Sequence, residues 1–148
     1  MEITRDFAVT VYIVHQGKIL LHLHKKLKCW LPVGGHIDTN ELPHTAALRE
    51  VKEESGLEVE LWQEKKPFIF DESVSDLPTP EHILLEDINP GHQHIDLAYF
   101  ATAKTTELKP EEGEATDLRW FSDQELDELT NVKTNALLLA KQALKIIK

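Results

Sequence analysis

An α/β/α sandwich, one sheet with helices on both sides, is the fold class that the order of periodicities along this chain predicts. Three observations carry it. Residues 4–15 alternate tightly enough for a strand and are mostly apolar on both sides, which places that strand in the middle of a sheet. Residues 43–55 carry a helical repeat that Pro43 opens and Gly56 closes, a proline suiting the first helical position and a glycine the left-handed residue after the last. A second helical repeat runs from Thr134 to the C-terminus, with Ala136, Leu137, Leu139, Ala140, Ala143, Leu144 and Ile147 available to pack on the sheet.

Taken in order, Phe7, Val9, Val11 and Ile13 share one side of the first strand, and Ala8, Thr10, Tyr12 and Val14 the other. Gln16-Gly17 turns the chain, and Lys18 to His24 return as a second strand. His22 and His24 project to one side of it, toward a substrate cleft. Lys25, Lys26 and Lys28 form the densest basic cluster; they read either as solvated loop lysines or as groups facing phosphate. Trp30 has two readings as well, a packed core ring or a ring stacked on a base. In the first helix Ala47, Leu48 and Val51 are expected to face the core. Glu58 to Phe70 is expected as another strand. Asp71 to Gln93, with Pro78, Pro80 and Pro90, is expected to be irregular, to hold a short strand at Ile83-Leu84-Leu85 and to overhang the site. A turn at Asn89-Pro90-Gly91 leads into a strand from His94 to Ala103. Leu118, Trp120 and Phe121 suggest a last strand, and Ser122 with Glu125 forms a capping box that starts a short helix through Leu129.

At 148 residues the chain is expected to form one domain, residues 1–148, burying about two-thirds of its unfolded surface. A net charge of −10 argues against a broad nucleic-acid or anionic-membrane surface. It leaves room for a small phosphate-bearing substrate neutralised locally. One cysteine, Cys29, excludes an internal disulfide and fits a reducing compartment; with no signal-like start and no apolar run of membrane length, a cytoplasmic monomer or homodimer is expected. His92 and His94 read either as transition-metal ligands or, with no further His or Cys at ligand spacing nearby, as exposed residues or residues at the mouth of a site, the second reading being favoured.

The chemistry concentrates on the first helix. Glu50, Glu53 and Glu54 stand at i, i+3 and i+4 on one face, where like charges repel by a few tenths of a kcal/mol per pair. Such a face is either solvated or built to hold a divalent cation, and carboxylate oxygens suit a hard ion such as Mg²⁺. The spacing around it is specific: Gly35, five residues, Glu41, seven residues, Arg49-Glu50, Val51, Lys52, Glu53-Glu54, Ser55, Gly56, Leu57.

From Gly35 to Leu57 this stretch resembles the complete Nudix box of the Nudix hydrolases. The resemblance implies a Nudix-like α/β/α sandwich with a mixed central sheet. It also implies metal-dependent hydrolysis, with Mg²⁺ or Mn²⁺, of a pyrophosphate bond in a nucleoside diphosphate linked to another moiety. By motif position Glu53 and Glu54 are metal ligands, Glu50 is a ligand or the base, and the Gly34 carbonyl is a backbone ligand. Arg49 and Glu41 match the family's structural ion pair. Glu114, six residues before Trp120, stands where related enzymes place a further carboxylate, with Glu111 and Glu112 as rivals. Substrate contacts are expected from His24, Lys25, Lys26 and Gly35. The window Glu72 to Ser75 holds neither the proline nor the tyrosine that marks ADP-ribose or diadenosine-polyphosphate subfamilies, so a nucleoside triphosphate or small nucleotide-sugar is the default substrate. The alternative from another class is a non-catalytic Nudix module that senses a nucleotide; such modules typically lose box glutamates, and all are present here.

Overall fold

The computed structural model describes residues 2–113 and 117–148. In chain order the elements are β1 (Thr4–His15), β2 (Lys18–Leu23), β3 (Trp30–Leu31), β4 (Val33–His36), α1 (Pro43–Ser55), β5 (Val59–Leu61), β6 (His82–Asn89), β7 (His92–Ala103), β8 (Leu118–Ser122), α2 (Asp123–Asp127) and α3 (Thr134–Ile146). Strand β1 is the spine. It runs parallel to β7 from Thr4 opposite His92 to Val14 opposite Thr102, and antiparallel to β4 and β2. β5 and β6 pair with different stretches of β7, and β3 and β8 pair with β2, so the sheet is mixed.

Alternation along β1 sorts the two layers of helix. Val9, Val11 and Ile13, with Tyr99 and Ala101 from β7, cluster against Ala46, Ala47 and Val51 of α1. Tyr12 and Val14, with Phe100, cluster against Leu126 of α2 and Leu139, Ala140 and Ala143 of α3. Both faces of β1 are therefore dry over its second half, as its two-sided apolar pattern requires. The alanines matter on both helices, because small side chains let the helix axes approach the sheet.

Several elements depart from expectation. In α1, Ala46 takes the inward place expected of Leu48, which is 38 % exposed. The buried stripe of α1 is made of Ala46, Ala47, Val51 and Ser55. The strand expected over Glu58 to Phe70 shrinks to Val59–Leu61. β5 uses only Ala101 to Ala103 of β7, and β6 occupies the same strand from Ala98 to His92. The intervening chain is anchored instead by Gln63, whose side chain bonds both the N–H and the carbonyl of Thr79. Phe68, Ile69 and Phe70 lie in the open, Ile69 at 98 %. The expected overhang after Asp71 is in part a full edge strand, β6, hairpinned to β7. Trp30 is a core ring, 5 % exposed and edge-on to Phe121 at 5.0 Å. The capping box is present, Ser122 Oγ accepting from the Glu125 N–H and Glu125 Oε1 from the Ser122 N–H, but α2 ends at Asp127.

A carboxyl group interrupts the dry interior. Asp96 on β7 is buried and accepts from the Thr10 hydroxyl at 3.0 and 3.2 Å. Burial, and then the hydrogen bond and charge of Glu86, push its carboxyl up to about 7 from an ordinary 3.8. Between these values the folded chain holds a proton that the unfolded chain has released, so stability falls as pH rises through that window. Asp96→Asn keeps an acceptor for Thr10 and removes the charge. In metal-free buffer its melting temperature should match wild type near about pH 4 and exceed it increasingly toward about pH 8. A difference independent of pH would show that Asp96 stays ionised throughout.

Candidate functional site

The solvent side of α1 is organised by Arg49. Its Nε and Nη2 donate to the two oxygens of Glu41 at 2.8 and 3.0 Å, a two-pronged pair. Nη1 donates to Glu50 Oε1 at 2.9 Å and approaches Glu53 Oε2 at 3.3 Å. Nη2 also reaches the His36 carbonyl at 3.0 Å, tying the end of β4 to the helix. The side chains of Glu41 and Glu50 are only 12 % and 14 % exposed, so this is a partly desolvated cluster rather than a surface fringe. The Arg49 hydrogen bonds, with one from the Asp38 N–H, hold the Glu41 carboxyl below its ordinary range. Glu41 in turn holds the guanidinium firmly protonated, raised above its already high value. Arg49 and Glu41, the pair that the Nudix resemblance implies, are thus in direct contact.

Glu54 points along the helix to β4, where Oε2 accepts from the Gly34 N–H at 3.3 Å. The two glycines serve different neighbours. A side chain on Gly34 would run into the Val9 carbonyl of β1, so its absence permits strand pairing. One on Gly35 would occupy the place of the Glu50 carboxylate. Glycine at 35 thus makes the pocket in which Glu50 lies.

Beside Gly34 is a cavity of about 400 Å³, lined by Thr10, His22, His24, Lys25, Lys26, Gly34, Glu54 and Gly113 among others. It brings the expected basic residues to the same space as Gly34 and Glu54. Lys28 lines a neighbouring hollow with Leu23, His24, Lys25 and Asp117. A larger cavity, about 660 Å³, opens beside β4 near Asp6, His36, Asp38 and Glu41, and none of Glu50, Glu53 and Glu54 lines it. The smaller one joins acidic and basic side chains in a single lining. His22 is nearly buried there; burial, and then His24, lower its imidazole below its ordinary value, and its Nδ1 has no hydrogen-bond partner among the described residues.

A feature with no side-chain signature completes the site. The loop after β7 is strapped to the last turn of α1, the Lys109 N–H donating to the Ser55 carbonyl at 2.7 Å and the Glu111 N–H to the Glu53 carbonyl at 2.8 Å. That strap sets the chain of Glu111 and Glu112 beside Glu53, and Gly113 on the cavity wall. Glu114 lies outside the described residues.

This combination of a mixed sheet between helical layers, a glycine pair and a carboxylate-bearing helix defines the NUDIX class. Residues 4–142 match the family model of the NUDIX domain, and the chain belongs to the NUDIX hydrolase family. It is 41% identical to a NUDIX-family hydrolase from Clostridium perfringens, covering 99% of this chain and 100% of that one with a TM-score of 0.88. A MutT NUDIX hydrolase from Burkholderia pseudomallei shares the fold at 23% identity, 98% and 99% coverage and a TM-score of 0.69. The m7GpppN-mRNA hydrolase NUDT17 of Xenopus laevis is 28% identical over 132 residues, 79% of this chain but 40% of that protein; the chain thus spans about two-fifths of the curated relative's length.

The glycines give a test of this geometry. Gly34→Ala must push β4 off the β1 backbone and is expected to cost about 1–3 kcal/mol of stability, read in denaturant melts. Gly35→Ala meets the end of the Glu50 side chain, which can turn aside at the loss of its Arg49 hydrogen bond, and should cost less than Gly34→Ala, about 1 kcal/mol. Equal losses in the two variants would refute the assignment of separate neighbours.

Proposed function

We propose that this chain is a divalent-metal-dependent pyrophosphohydrolase. Its substrate is a nucleoside diphosphate linked to another moiety, a nucleoside triphosphate or small nucleotide-sugar, cleaved by water at the pyrophosphate bond. The observation that carries this reading is the cavity itself, whose lining brings Lys25 and Lys26 together with Glu54 and Gly34. A phosphate chain needs cationic groups on its oxygens and a water held in line with phosphorus, and this lining supplies groups suited to both. The net charge of −10 favours a small nucleotide over a polymer, which would meet repulsion beyond the local lysines.

The donor set fits a hard divalent ion: carboxylates of Glu50, Glu53 and Glu54, the Gly34 carbonyl, and a Gly35 whose missing side chain leaves Glu50 its place. Bound Mg²⁺ or Mn²⁺ would neutralise phosphate oxygens and acidify a water. The chain's own groups do the rest. Lys25, Lys26 and His24 hold the phosphates beside the carboxylates. A carboxylate, Glu114 or Glu50, takes the proton of the attacking water as the new P–O bond forms and the anhydride P–O bond breaks. Arg49, locked to Glu41, positions Glu50 and Glu53 without needing to touch substrate. The complete set of acidic residues favours catalysis over nucleotide sensing alone. The single Cys29 fits a cytoplasmic setting.

The primary test is a panel of nucleoside diphosphate derivatives with Mg²⁺ or Mn²⁺, read as released phosphate or pyrophosphate. Glu53→Gln should lower kcat by about 100-fold or more while the melting temperature holds or rises, because a repelling charge is removed. Near-normal turnover by this variant on every substrate would refute the metal assignment.

Glu114 and its neighbours give an independent test. Glu114→Gln is expected to lower kcat by about 100-fold, the reach of a general base. Glu111→Gln and Glu112→Gln should change it only a few-fold. A large effect at Glu111 or Glu112 with none at Glu114 would move the role to the residue whose amide is strapped to Glu53 or to its neighbour.

A further inference from the structure

We propose that Asp6, His36 and His94, with a water as the fourth ligand, form a zinc-binding site on the face of the sheet opposite α1. Sequence spacing cannot reveal it, because its members come from three strands. Register can. In β1 and β7, Asp6 stands opposite His94 and Thr4 opposite His92; in β1 and β4, Ala8 stands opposite His36. Thr4, Asp6 and Ala8 share one face by alternation, so the three imidazoles converge on the Asp6 carboxylate.

The distances suit a metal. His36 Nε2 is 3.2 Å from His94 Nε2 and 3.6 Å from Asp6 Oδ2. His92 Nε2 is 3.2 Å from the same Asp6 oxygen. One donor atom from each of Asp6, His36 and His94 can be chosen so that all lie within 4.8 Å of one another. A tetrahedral ion with bonds of about 2.0–2.1 Å sets its ligand atoms about 3.3–3.4 Å apart, close to what these side chains already show. The His36 and His94 rings meet nearly perpendicular, at 79°, so that both nitrogens face one point without stacking. His92 carries its own orienting contact: its Nδ1 hydrogen-bonds Thr4 Oγ1 at 2.9 Å, which leaves Nε2 turned to Asp6. His92 lies outside the three mutually close donors and serves to orient the Asp6 carboxylate among them.

Donor chemistry separates this site from the acidic helix. Imidazole nitrogens with one carboxylate select a borderline ion such as Zn²⁺, whereas an all-oxygen set selects Mg²⁺. Parity separates them in space. Gly35 faces Glu50 on the α1 side, so His36, the next residue of β4, faces the other way. The side chains of Asp6 and His36 are more than half exposed, so an ion enters directly from solvent. Once bound it would bridge β4 to β7 across β1, one residue beyond the glycine pair.

The test uses the full chain without an affinity tag, stripped with chelator and dialysed against Zn²⁺. One ion per chain is expected, with affinity reduced at least about 100-fold in His94→Ala and in His36→Ala. Glu53→Gln should bind Zn²⁺ as wild type does. Co²⁺ in place of Zn²⁺ should give the intense visible bands of a four-coordinate nitrogen-containing site in wild type, and Zn²⁺ should raise the melting temperature of wild type but not of His36→Ala. The proposal is overturned if wild type binds no Zn²⁺, if both histidine variants bind it unchanged, or if Glu53→Gln abolishes it. The Co²⁺ spectrum of wild type decides the matter even if one variant misfolds.

Discussion

Everything at the acidic end of this molecule leans on the Arg49 guanidinium. Four carboxylates, those of Asp38, Glu41, Glu50 and Glu53, lie within 3.6 Å of it, and the His36 carbonyl accepts from it too. Side by side on a helix, such carboxylates raise one another's energy. A planar cation with five donors can satisfy several at once in fixed geometry, which a lysine cannot do. The ionic cluster is only partly open to water, so its charges are weakly screened and its geometry is correspondingly stiff. The turn from His36 to Glu41, the first strands and the helix are thereby made into one body before any ion or substrate arrives.

The second constraint is the long parallel pair of β1 and β7. Because its register is continuous from Thr4 to Val14, side chains eighty or more residues apart are delivered to fixed positions on two faces. One face is used for helix packing and, at its open end, for Asp96 and the histidines; the other seats α1. Parallel pairing between distant segments forms late and slowly in general, since the loop between them must close first. The compensation is that a site built on such a pair is rigid once formed.

How much of this was legible in the sequence depended on whether the signal was local. The helix of Glu50, Glu53 and Glu54 was legible because its period, its Pro43 and its Gly56 are all within reach of one another, and the Arg49–Glu41 pair followed from the box. Lys25, Lys26 and His24 share a cavity lining with Gly34, because the turn that carries them is short. What failed was decided by competition at a distance. Phe68 and Phe70 look like strand residues, yet β6 already occupies the edge of β7 that they would need. The zinc-type cluster joins His36 to His94, 58 positions away, and His92 with His94 lacks the remaining ligands at local spacing. The strap from Lys109 and Glu111 to α1 is made of backbone groups, which every residue carries, so no side chain advertises it.

Strand β4 holds only four residues, and three of them in succession answer to different masters: Gly34 to the β1 backbone and Glu54, Gly35 to Glu50, His36 to the histidine face. Side chains alternate along a strand, so inserting or deleting one residue between Val33 and His36 would exchange the faces rather than shift them slightly. The glycine gap would then open on the wrong side, and an imidazole would be driven into the carboxylates. Length, more than composition, is what this short strand cannot change: an indel there would disturb the carboxylate cluster and the histidine cluster at once, where a point substitution injures one.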